Sequence, residues 1–313
     1  MSMRVLKDGL AKIKGLIPIA IKKPIKAGIN ALIYYIVELR PLIQNIKNIR
    51  KIQLKKTVNK KIKDTLIKTV YLKRYNRIDR TANIVGNQVK FESFARIRNL
   101  FVEMFIKQPY YFSAKNLSPT IIDCGSHIGL SVAYFKLLYP QAKIICFEPN
   151  KYAYNLLSEN IKINNLKDVE LHNKALMGYD GETDFFINMT NKRDVATSTI
   201  KERVINGTKS TVEAITLSHF INDTVDYIKI DIEGAELEVL RELQISRKLP
   251  LVKQMAIEFH HHITREDDNL STALKLLEQE GFGYHLEGQF EHPRDPFSFQ
   301  DIMIFAYNKQ LMN

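Results

Sequence analysis

The amino-acid sequence predicts an α/β protein built on a seven-stranded, mostly parallel sheet with helices on both faces. From residue 119 onward, short apolar runs alternate with segments of helical periodicity, which is typical of a parallel sheet covered by helices. Several of these runs end in glycine or acidic residues. The last two runs are joined by a proline-containing loop without a helical segment, so we expect the final strand to return antiparallel to the others.

The composition is that of an ordinary globular protein. The chain has 313 residues, of which 45% are hydrophobic and 26% are charged, and this argues against a disordered or fibrous protein. No run of 18 apolar residues is free of charge, so we expect no bilayer-spanning helix, and we find no secretory signal. The two cysteines, Cys124 and Cys146, are too few for a disulfide framework. These features predict a cytoplasmic protein.

Basic residues are concentrated in the first third of the chain. Residues 1–100 contain 24 basic and 5 acidic residues, whereas the remainder contains 22 basic and 29 acidic residues. We therefore predict a basic, mainly helical N-terminal extension over 1–100 and a second domain over 101–313. Lysine-rich helices with an apolar face suit either a peripheral contact with the anionic inner face of a membrane or a cap packed on the main domain. Such an extension can also support a homo-oligomer, and the absence of a nucleic-acid-binding motif argues against a nucleic-acid partner.

The individual elements follow from periodicity and turn residues. A strand pair is expected around Gly86-Asn87 within residues 82–92, followed by an amphipathic helix over 93–107. The strands of the sheet are predicted at 120–124, 143–147, 169–173, 226–230, 253–259, 282–286 and 299–307, and its helices near 129–138, 151–163, 234–244 and 269–280.

The first motif, Asp123-Cys124-Gly125-Ser126-His127-Ile128-Gly129, follows a strand and opens a helix. Its glycines allow a sharp turn and a close approach of the backbone to a ligand. The start of the helix favours a carboxylate or a phosphate. A dinucleotide site would more often read G-x-G-x-x-G, which argues against an NAD-dependent dehydrogenase. The acid at the strand tip suits a ligand that carries a positive ammonium group.

The next two strands end in residues that suit a nucleoside. Glu148 ends the second strand, 25 residues after the acid of the first motif, and an acid there can accept hydrogen bonds from both ribose hydroxyls. Pro149 stops that strand. Ala175 and Leu176 follow the third strand and are expected to form an apolar wall against an adenine. The alternative for this segment is a plain turn leading to a strand at Thr183–Asn188.

Two further strands carry acids and a histidine to the carboxyl edge of the sheet, where open α/β sheets bind ligands. The fourth strand delivers Asp231 and Glu233, and the fifth delivers Glu258 and His260. We expect His260 to act as a general base, because the pKa of a free imidazole lies near neutrality. Asp231 would position the donor or the acceptor. We predict no metal, because consecutive histidines do not supply the helical i, i+4 spacing of a metal site.

Together these segments resemble the FkbM family of S-adenosylmethionine-dependent methyltransferases. The resemblance rests on Ile122–Gly129, Phe147–Asn150, Ala175–Gly181, Thr216-Leu217, Tyr227–Glu236 and Ile257–His260. It implies a class I methyltransferase (Rossmann-like) fold, S-adenosyl-L-methionine as cosubstrate, and O-methylation of a hydroxyl on a sugar, a glycan or a related small molecule. The donor-binding residues would be Asp123, Gly125, Ser126, His127, Gly129, Glu148, Pro149, Ala175, Leu176 and Asp231, with Asp231, Glu233, Glu258 and His260 at the catalytic position.

Two features leave alternatives open. Family members often carry acids after Thr-Leu, whereas this chain has Ser218-His219, which puts any role of that segment in doubt. The basic extension could serve as the electrostatic grip of a nucleic-acid methyltransferase, although the Asn/Asp-Pro-Pro-Tyr/Phe element of amino-methylating enzymes is missing. A non-catalytic, membrane-associated protein on the same fold is the remaining alternative, and the acids at 123, 148 and 231 argue against it.

Overall fold

The structure, a computed structural model, describes residues 44–45, 59–66, 80–188, 197–204, 206–264, 268–288, 295 and 298–312. The chain divides into two compact units, Met1–Lys47 and Asn48–Asn313. Most of the predicted N-terminal extension lies outside the described residues, so its helical character, its boundary at residue 100 and its membrane or oligomer role stay predictions. Within the described ranges, no helix is long and apolar enough to cross a membrane.

The elements of the second unit are given in chain order. The strands are β1 (Thr81–Ile84), β2 (Asn87–Lys90), β3 (Thr120–Cys124), β4 (Lys143–Phe147), β5 (Val169–His172), β6 (Ala175–Leu176), β7 (Gly181–Ile187), β8 (Thr197–Ser198), β9 (Thr208–Ile215), β10 (Val225–Ile230), β11 (Val252–His261), β12 (Phe282–Gly288) and β13 (Gln300–Asn308). Residues 59–66 are helical, and the α-helices that follow are α1 (Phe94–Phe101), α2 (Leu130–Leu138), α3 (Lys151–Ile163), α4 (Glu236–Ile245) and α5 (Leu270–Gln279).

The main sheet has the strand order β12-β13-β11-β10-β3-β4-β5. Strands β5, β4, β3, β10 and β11 pair in parallel, whereas β13 runs antiparallel between β11 and β12. The predicted α/β fold with a mostly parallel sheet and a returning final strand is therefore confirmed. After β5 the chain returns to the centre and places β10 beside β3. That reversal of strand order forms the crevice in which open α/β sheets bind ligands.

Helices cover the sheet because apolar strands buried on both faces need apolar partners. The crossovers through α2 and α3 progress in one direction along the sheet, and those through α4 and α5 progress in the other. Right-handed crossovers place these two pairs of helices on opposite faces. Leu240 of α4 and Leu277 of α5 share one buried cluster with Ile228 and Ile257 of the sheet. The hydrophobic core therefore holds the ends of β10 and β11 in fixed positions.

The β1–β2 hairpin packs against α3. Asn160 on α3 and Asn164, which caps the C-terminus of that helix, contact β2. Each accepts a hydrogen bond from a backbone N–H of β2 and donates one to a backbone carbonyl of β2, with distances of 2.7–3.0 Å. Asn160 also donates to the Ile128 carbonyl, at 2.9 Å. The hairpin is thereby connected to the glycine-containing loop after β3.

Two parts of the fold were not predicted. A second sheet, with the order β6-β9-β7-β8, lies between β5 and β10 in sequence, whereas the sequence predicted only its strand near Thr183–Asn188. Strands β6 and β8 have two residues each, too few for any periodicity. The predicted helix over 93–107 is α1 followed by a π-helix at Val102–Lys107, which ends at Gln108 in a left-handed conformation. The wider turn changes which side chains face the sheet.

Candidate functional site

The loop after β3 is shaped by contact with the neighbouring strand end. Gly125 and Gly129 both have φ of +85°, a conformation that favours glycine. A Cβ at Gly125 would overlap the carbonyl oxygen of Asp231, and one at Gly129 would lie 2.7 Å from Leu157 Cδ1. Both glycines are therefore required by packing within the protein. Their position at the start of α2 is the one that the sequence predicted.

Asp123 supports this loop from below. Its side chain is fully buried, with Oδ2 accepting a hydrogen bond from Ser131 Oγ at 2.5 Å and Oδ1 lying 3.6 Å from Lys229 Nζ. Ser126 Oγ, also buried, donates to the Asp123 carbonyl at 2.9 Å. The expectation that Asp123 and the Ser126 side chain contact a donor directly is therefore not supported. They instead fix the loop, and Asp123 contributes negative charge beneath it.

Glu148 follows β4 and is connected to the same loop. Its Oε2 accepts the His127 backbone N–H at 2.9 Å, and its Oε1 accepts the Asn150 backbone N–H at 2.8 Å. Burial raises the pKa of Glu148 to about 7, although the two backbone hydrogen bonds favour the charged form. Each carboxylate oxygen retains a further lone pair for a ligand hydroxyl. The His127 ring is neutral, because burial and the nearby Arg96 lower its pKa to about 3.

The other residues predicted at the donor site lie around Glu148. The Pro149 carbonyl accepts a hydrogen bond from Asn173 Nδ2 at 3.0 Å, which attaches the end of β5 to the turn after β4. Ala175 and Leu176 form β6, and both side chains are packed inside hydrophobic clusters. Their proposed contact with an adenine stays a prediction.

Lys229 lies near the carboxyl end of the central strand β10, and its side chain is almost completely buried. Its Nζ lies 3.2 Å from Asp231 Oδ2 and donates to the carbonyls of Gly125, at 2.9 Å, and Cys124, at 3.3 Å. Burial alone would lower the pKa of Lys229, but Asp231 and Asp123 outweigh it and raise that pKa above its ordinary value. One ammonium group therefore joins the loop after β3 to the carboxylate that ends β10.

Tyr110, just after the π-helix, bridges the ends of β10 and β11. Its buried hydroxyl lies 2.8 Å from Glu258 Oε2 and 3.3 Å from Asp231 Oδ2. Burial, followed by the charges of Asp231 and Glu103, raises the pKa of Glu258 to about 8. Burial likewise raises the pKa of Glu103, which stands on the π-helix and interacts with Asp231. The π-helix thus adds a carboxyl group and a phenol to the site.

His260 is held between two glutamates. Its Nδ1 lies 2.9 Å from Glu236 Oε1, and its Nε2 lies 3.4 Å from Glu233 Oε2. Burial opposes the positive charge, but Glu236 and Glu233 outweigh it and raise the pKa of His260 to about 10. The ring already carries a second proton at neutral pH, so the structure argues against the expected role of His260 as a general base. Glu233 also pairs with Arg203, at 2.8 Å.

Three of the predicted residues come together. Asp231, Glu258 and His260 each offer one ligand atom, and these atoms lie within 4.8 Å of one another. The sequence argument against a metal considered only helical spacing, whereas this group is formed by the ends of two adjacent strands. His261, His262 and Asp268 form a second such group among the described residues.

Four residues of the site were missed by the sequence analysis, namely Glu103, Tyr110, Arg203 and Lys229. Lys229, between Ile228 and Ile230 in a predicted buried strand, was a usable signal, because a charge in a buried strand needs a nearby counter-charge. The other three come from distant segments, and no local pattern marks them.

This strand order, with a glycine-containing loop after β3 and an acid after β4, defines a class I methyltransferase. A family model described as the methyltransferase FkbM domain matches residues 123–285, slightly more than half of the chain. The chain therefore belongs to the FkbM methyltransferase family, as the sequence predicted.

Two relatives and one solved structure are also named as methyltransferases. The chain is 29% identical to "Methyltransferase sdnD" of Sordaria araneosa over 64% of this chain and 88% of that protein. It is 26% identical to "Methyltransferase 1" of Beauveria bassiana (strain ARSEF 2860) over 59% and 80%. The crystal structure of methyltransferase FkbM from Methylobacillus flagellatus KT matches with a TM-score of 0.44 and 14% identity, over 87% of this chain and 60% of that chain.

Lys229→Met tests the importance of the buried ammonium group. The variant leaves the fully buried Asp123 carboxylate and the partly exposed Asp231 carboxylate without their shared cation, and we expect it to lose ~3–5 kcal/mol of unfolding free energy because Asp123 remains as an unpaired buried charge. Lys253→Met is the matched control on β11, because Lys253 Nζ pairs with Asp226 at 2.7 Å but is partly exposed. Its loss should be ~1 kcal/mol or less. Urea unfolding measures both, and equal losses would contradict the assigned role of Lys229.

Proposed function

We propose that this methyltransferase transfers a methyl group from S-adenosyl-L-methionine to a hydroxyl oxygen of a sugar, a glycan or a related small molecule. The observation that supports this proposal most strongly is the pair of carboxyl side chains, Asp231 and Glu258, beside the loop after β3. Lys229 and Tyr110 engage Asp231 Oδ2, and Tyr110 engages Glu258 Oε2. Oδ1 of Asp231 and Oε1 of Glu258 make no hydrogen bond to the described residues, which leaves two oxygens for an acceptor.

The residues beside the loop fit the donor. Glu148 retains lone pairs for ribose hydroxyls, and its position after β4 is the one that nucleoside-binding sheets use. The loop leads into the start of α2, where the backbone favours a carboxylate such as that of a methionyl group. Asp231, beside Gly125, suits the positive charge of an ammonium or sulfonium group. The donor, when bound, supplies an electrophilic methyl group on a positively charged sulfur.

The acceptor hydroxyl must lose its proton, and the site limits which residues can assist. His260 is already protonated, so it stabilises nearby negative charge and does not accept a proton. Asp231 and Glu258 are the groups with open oxygens. Burial opposes the charge of Asp231, but Lys229 and His260 outweigh it and lower the pKa of Asp231, so its carboxylate can accept the proton. Glu258, with a pKa of about 8, is largely protonated at neutral pH and can accept a proton only above that pH, or it can hold a cation that acidifies the hydroxyl. In either case a well-oriented hydroxyl contributes much of the rate, since positioning alone is worth ~7–11 kcal/mol.

The charge of the site favours a neutral acceptor over a polyanion. Six acids face or adjoin the pocket, against three cationic residues. The acids are Glu103, Asp231, Glu233, Glu236, Glu258 and Asp301, and the cationic residues are Lys229, Arg203 and His260. With acidic side chains in the majority, this part of the described chain offers no net positive surface to a nucleic-acid backbone, which supports a sugar hydroxyl over a nucleotide base. The cytoplasmic location, the membrane contact and a homo-oligomer remain proposals from composition.

Donor binding should depend on the charge of Glu148. The ionised carboxylate accepts ribose hydroxyls and the protonated form does so poorly, so binding should lower its pKa and affinity should rise with pH. With a free pKa near 7, S-adenosylmethionine should bind up to about tenfold more weakly at pH 6 than at pH 8. Titration calorimetry measures this, with NADH as the ligand that should not bind.

Glu148→Gln is the control for that titration. It should weaken donor binding at pH 8 and flatten the pH profile between pH 6 and 8, since the amide does not ionise there. If the Gln variant keeps the affinity and the pH profile of the natural chain, Glu148 does not bind the ribose hydroxyls of the donor. Binding of NADH in preference to S-adenosylmethionine would contradict the proposed function itself.

The acceptor class can be tested with donor carrying a labelled methyl group. We expect label to enter neutral glycans or hydroxylated small molecules as an alkali-stable ether, with S-adenosylhomocysteine formed in equal amount. Glu258→Gln should reduce this turnover by about 10²–10⁴-fold, whether the carboxylate acts directly or through a cation. RNA and DNA, offered at low salt, are the competing acceptors. Label found in nucleic acid, or an unchanged rate in Glu258→Gln, would contradict the proposal.

A further inference from the structure

The group of Asp231, Glu258 and His260 has the geometry of a metal site. Their ligand atoms lie within 4.8 Å of one another, slightly more than twice a metal–ligand bond of ~2.0–2.3 Å, so a small inward movement of the side chains would let one ion bind all three. The two parallel strands that supply them are paired from Val225 and Val252 to Ile230 and Ile257. Rigid strands therefore fix the spacing of the three side chains.

Each of the two carboxylates has one oxygen engaged and one without a hydrogen-bond partner among the described residues. Lys229 Nζ and Tyr110 Oη occupy Asp231 Oδ2, at 3.2 and 3.3 Å, and Tyr110 occupies Glu258 Oε2, at 2.8 Å. Asp231 Oδ1 and Glu258 Oε1 have no hydrogen-bond partner in the described part of the chain. Carboxylates that bind metals typically have one oxygen hydrogen-bonded to neighbouring side chains, while the other oxygen is open to the ion.

His260 is arranged in the same way. Its Nδ1–H donates to Glu236 Oε1 at 2.9 Å, and both side chains are buried. Glu236 is itself fixed, because its Oε1 accepts backbone N–H groups from Gly234 at 2.9 Å and Ile232 at 3.3 Å. A carboxylate on one ring nitrogen orients the other nitrogen for a metal. Nε2 faces the pocket, with Glu233 Oε2 at 3.4 Å, and a bound cation would replace the proton there.

The surrounding charge points to a cation. The six acids named above outnumber the three cationic residues, and one of the six, Asp301, has its Oδ1 3.9 Å from His260 Nε2. A divalent ion would offset most of this surplus. Two carboxylates and one imidazole offer both oxygen and nitrogen ligands. This set suits ions such as Mn²⁺ better than Ca²⁺, which prefers oxygen ligands alone.

We propose that Asp231, Glu258 and His260 bind a divalent cation of the Mn²⁺ type at the acceptor side of the site. The proposal rests on the proposed function for its purpose: the ion would take the acceptor hydroxyl oxygen as a further ligand and lower the pKa of that hydroxyl, as metals do for bound water. The acidified hydroxyl would release its proton to water as its oxygen bonds to the methyl carbon and the bond between that carbon and the donor sulfur breaks.

Titration of the full chain with Mn²⁺, followed by electron paramagnetic resonance of the free ion, tests the site without any need for turnover. We expect one saturable site in the natural chain, and at least tenfold weaker binding in Glu258→Gln. Asp268→Asn is the matched control, because Asp268 belongs to the second His/Asp group, and it should leave the affinity unchanged. No saturable binding to the natural chain, or a loss caused by Asp268→Asn instead, would overturn the proposal.

A second variant protects the test against misfolding. If Glu258→Gln fails to unfold cooperatively in urea, Glu258→Asp takes its place in the test. This variant retains the carboxyl group but shortens the side chain, and it should also weaken Mn²⁺ binding. Unchanged affinity in a folded Glu258→Asp variant would count against the site. Calorimetry with S-adenosylmethionine in metal-free buffer separates the two proposals. Donor binding without Mn²⁺ binding would contradict only the proposed cation site. Mn²⁺ binding without donor binding would contradict the proposed function.

Discussion

Lys229 places a positive charge in the central strand of the sheet, where water cannot solvate it. Because a buried ammonium group is stable only with counter-charges and hydrogen-bond acceptors around it, its surroundings are tightly constrained. Asp123, Asp231 and the carbonyls of Cys124 and Gly125 meet this requirement. The loop after β3 and the carboxylate after β10 are thus held by one group, and the donor side and acceptor side of the site keep a fixed relation.

The sequence predicted the main sheet well because its strands are apolar and its helices periodic. Strands β3 and β4 and helix α3 have the predicted bounds, and the other elements differ by a few residues at their ends. The predicted edge residues Asp231, Glu258 and His260 do come together. What sequence patterns could not show is protonation, since the charge of His260 depends on Glu236 and Glu233 in three dimensions.

The remaining differences have similar physical causes. Asp123 sits at the predicted strand tip, but burial and Ser131 make it a support of the loop. Tyr110 and Glu103 reach the site through a π-helix, whose extra residue per turn leaves no mark on an amphipathic pattern. The second sheet depends on pairing between segments with few apolar residues. Long-range contacts of this kind are formed by the fold as a whole and have no local signature.

The proposed methyl transfer depends on two neighbouring parts of the carboxyl edge of the sheet, one for the donor and one for the acceptor. Glu148 and the loop after β3 suit the methyl donor, while Asp231 and Glu258 turn open oxygens toward the acceptor. A histidine held protonated by two glutamates is poorly suited to remove a proton, and the same arrangement is well suited to orient an imidazole on a metal. The surplus of acids around it disfavours polyanionic acceptors, which links the electrostatics of the site to its substrate class.

If both proposals hold, the donor methyl group and the cation site adjoin each other. This can be measured by nuclear magnetic resonance of protein-bound S-adenosylmethionine with a ¹³C-labelled methyl group, with Mn²⁺ as the paramagnetic ion and Mg²⁺ as the diamagnetic reference. We expect strong Mn²⁺-dependent broadening that corresponds to a separation of about 6 Å or less, given metal–oxygen bonds of ~2.2 Å and a reacting oxygen ~3–3.5 Å from the methyl carbon. A bound methyl signal that Mn²⁺ leaves sharp would contradict it.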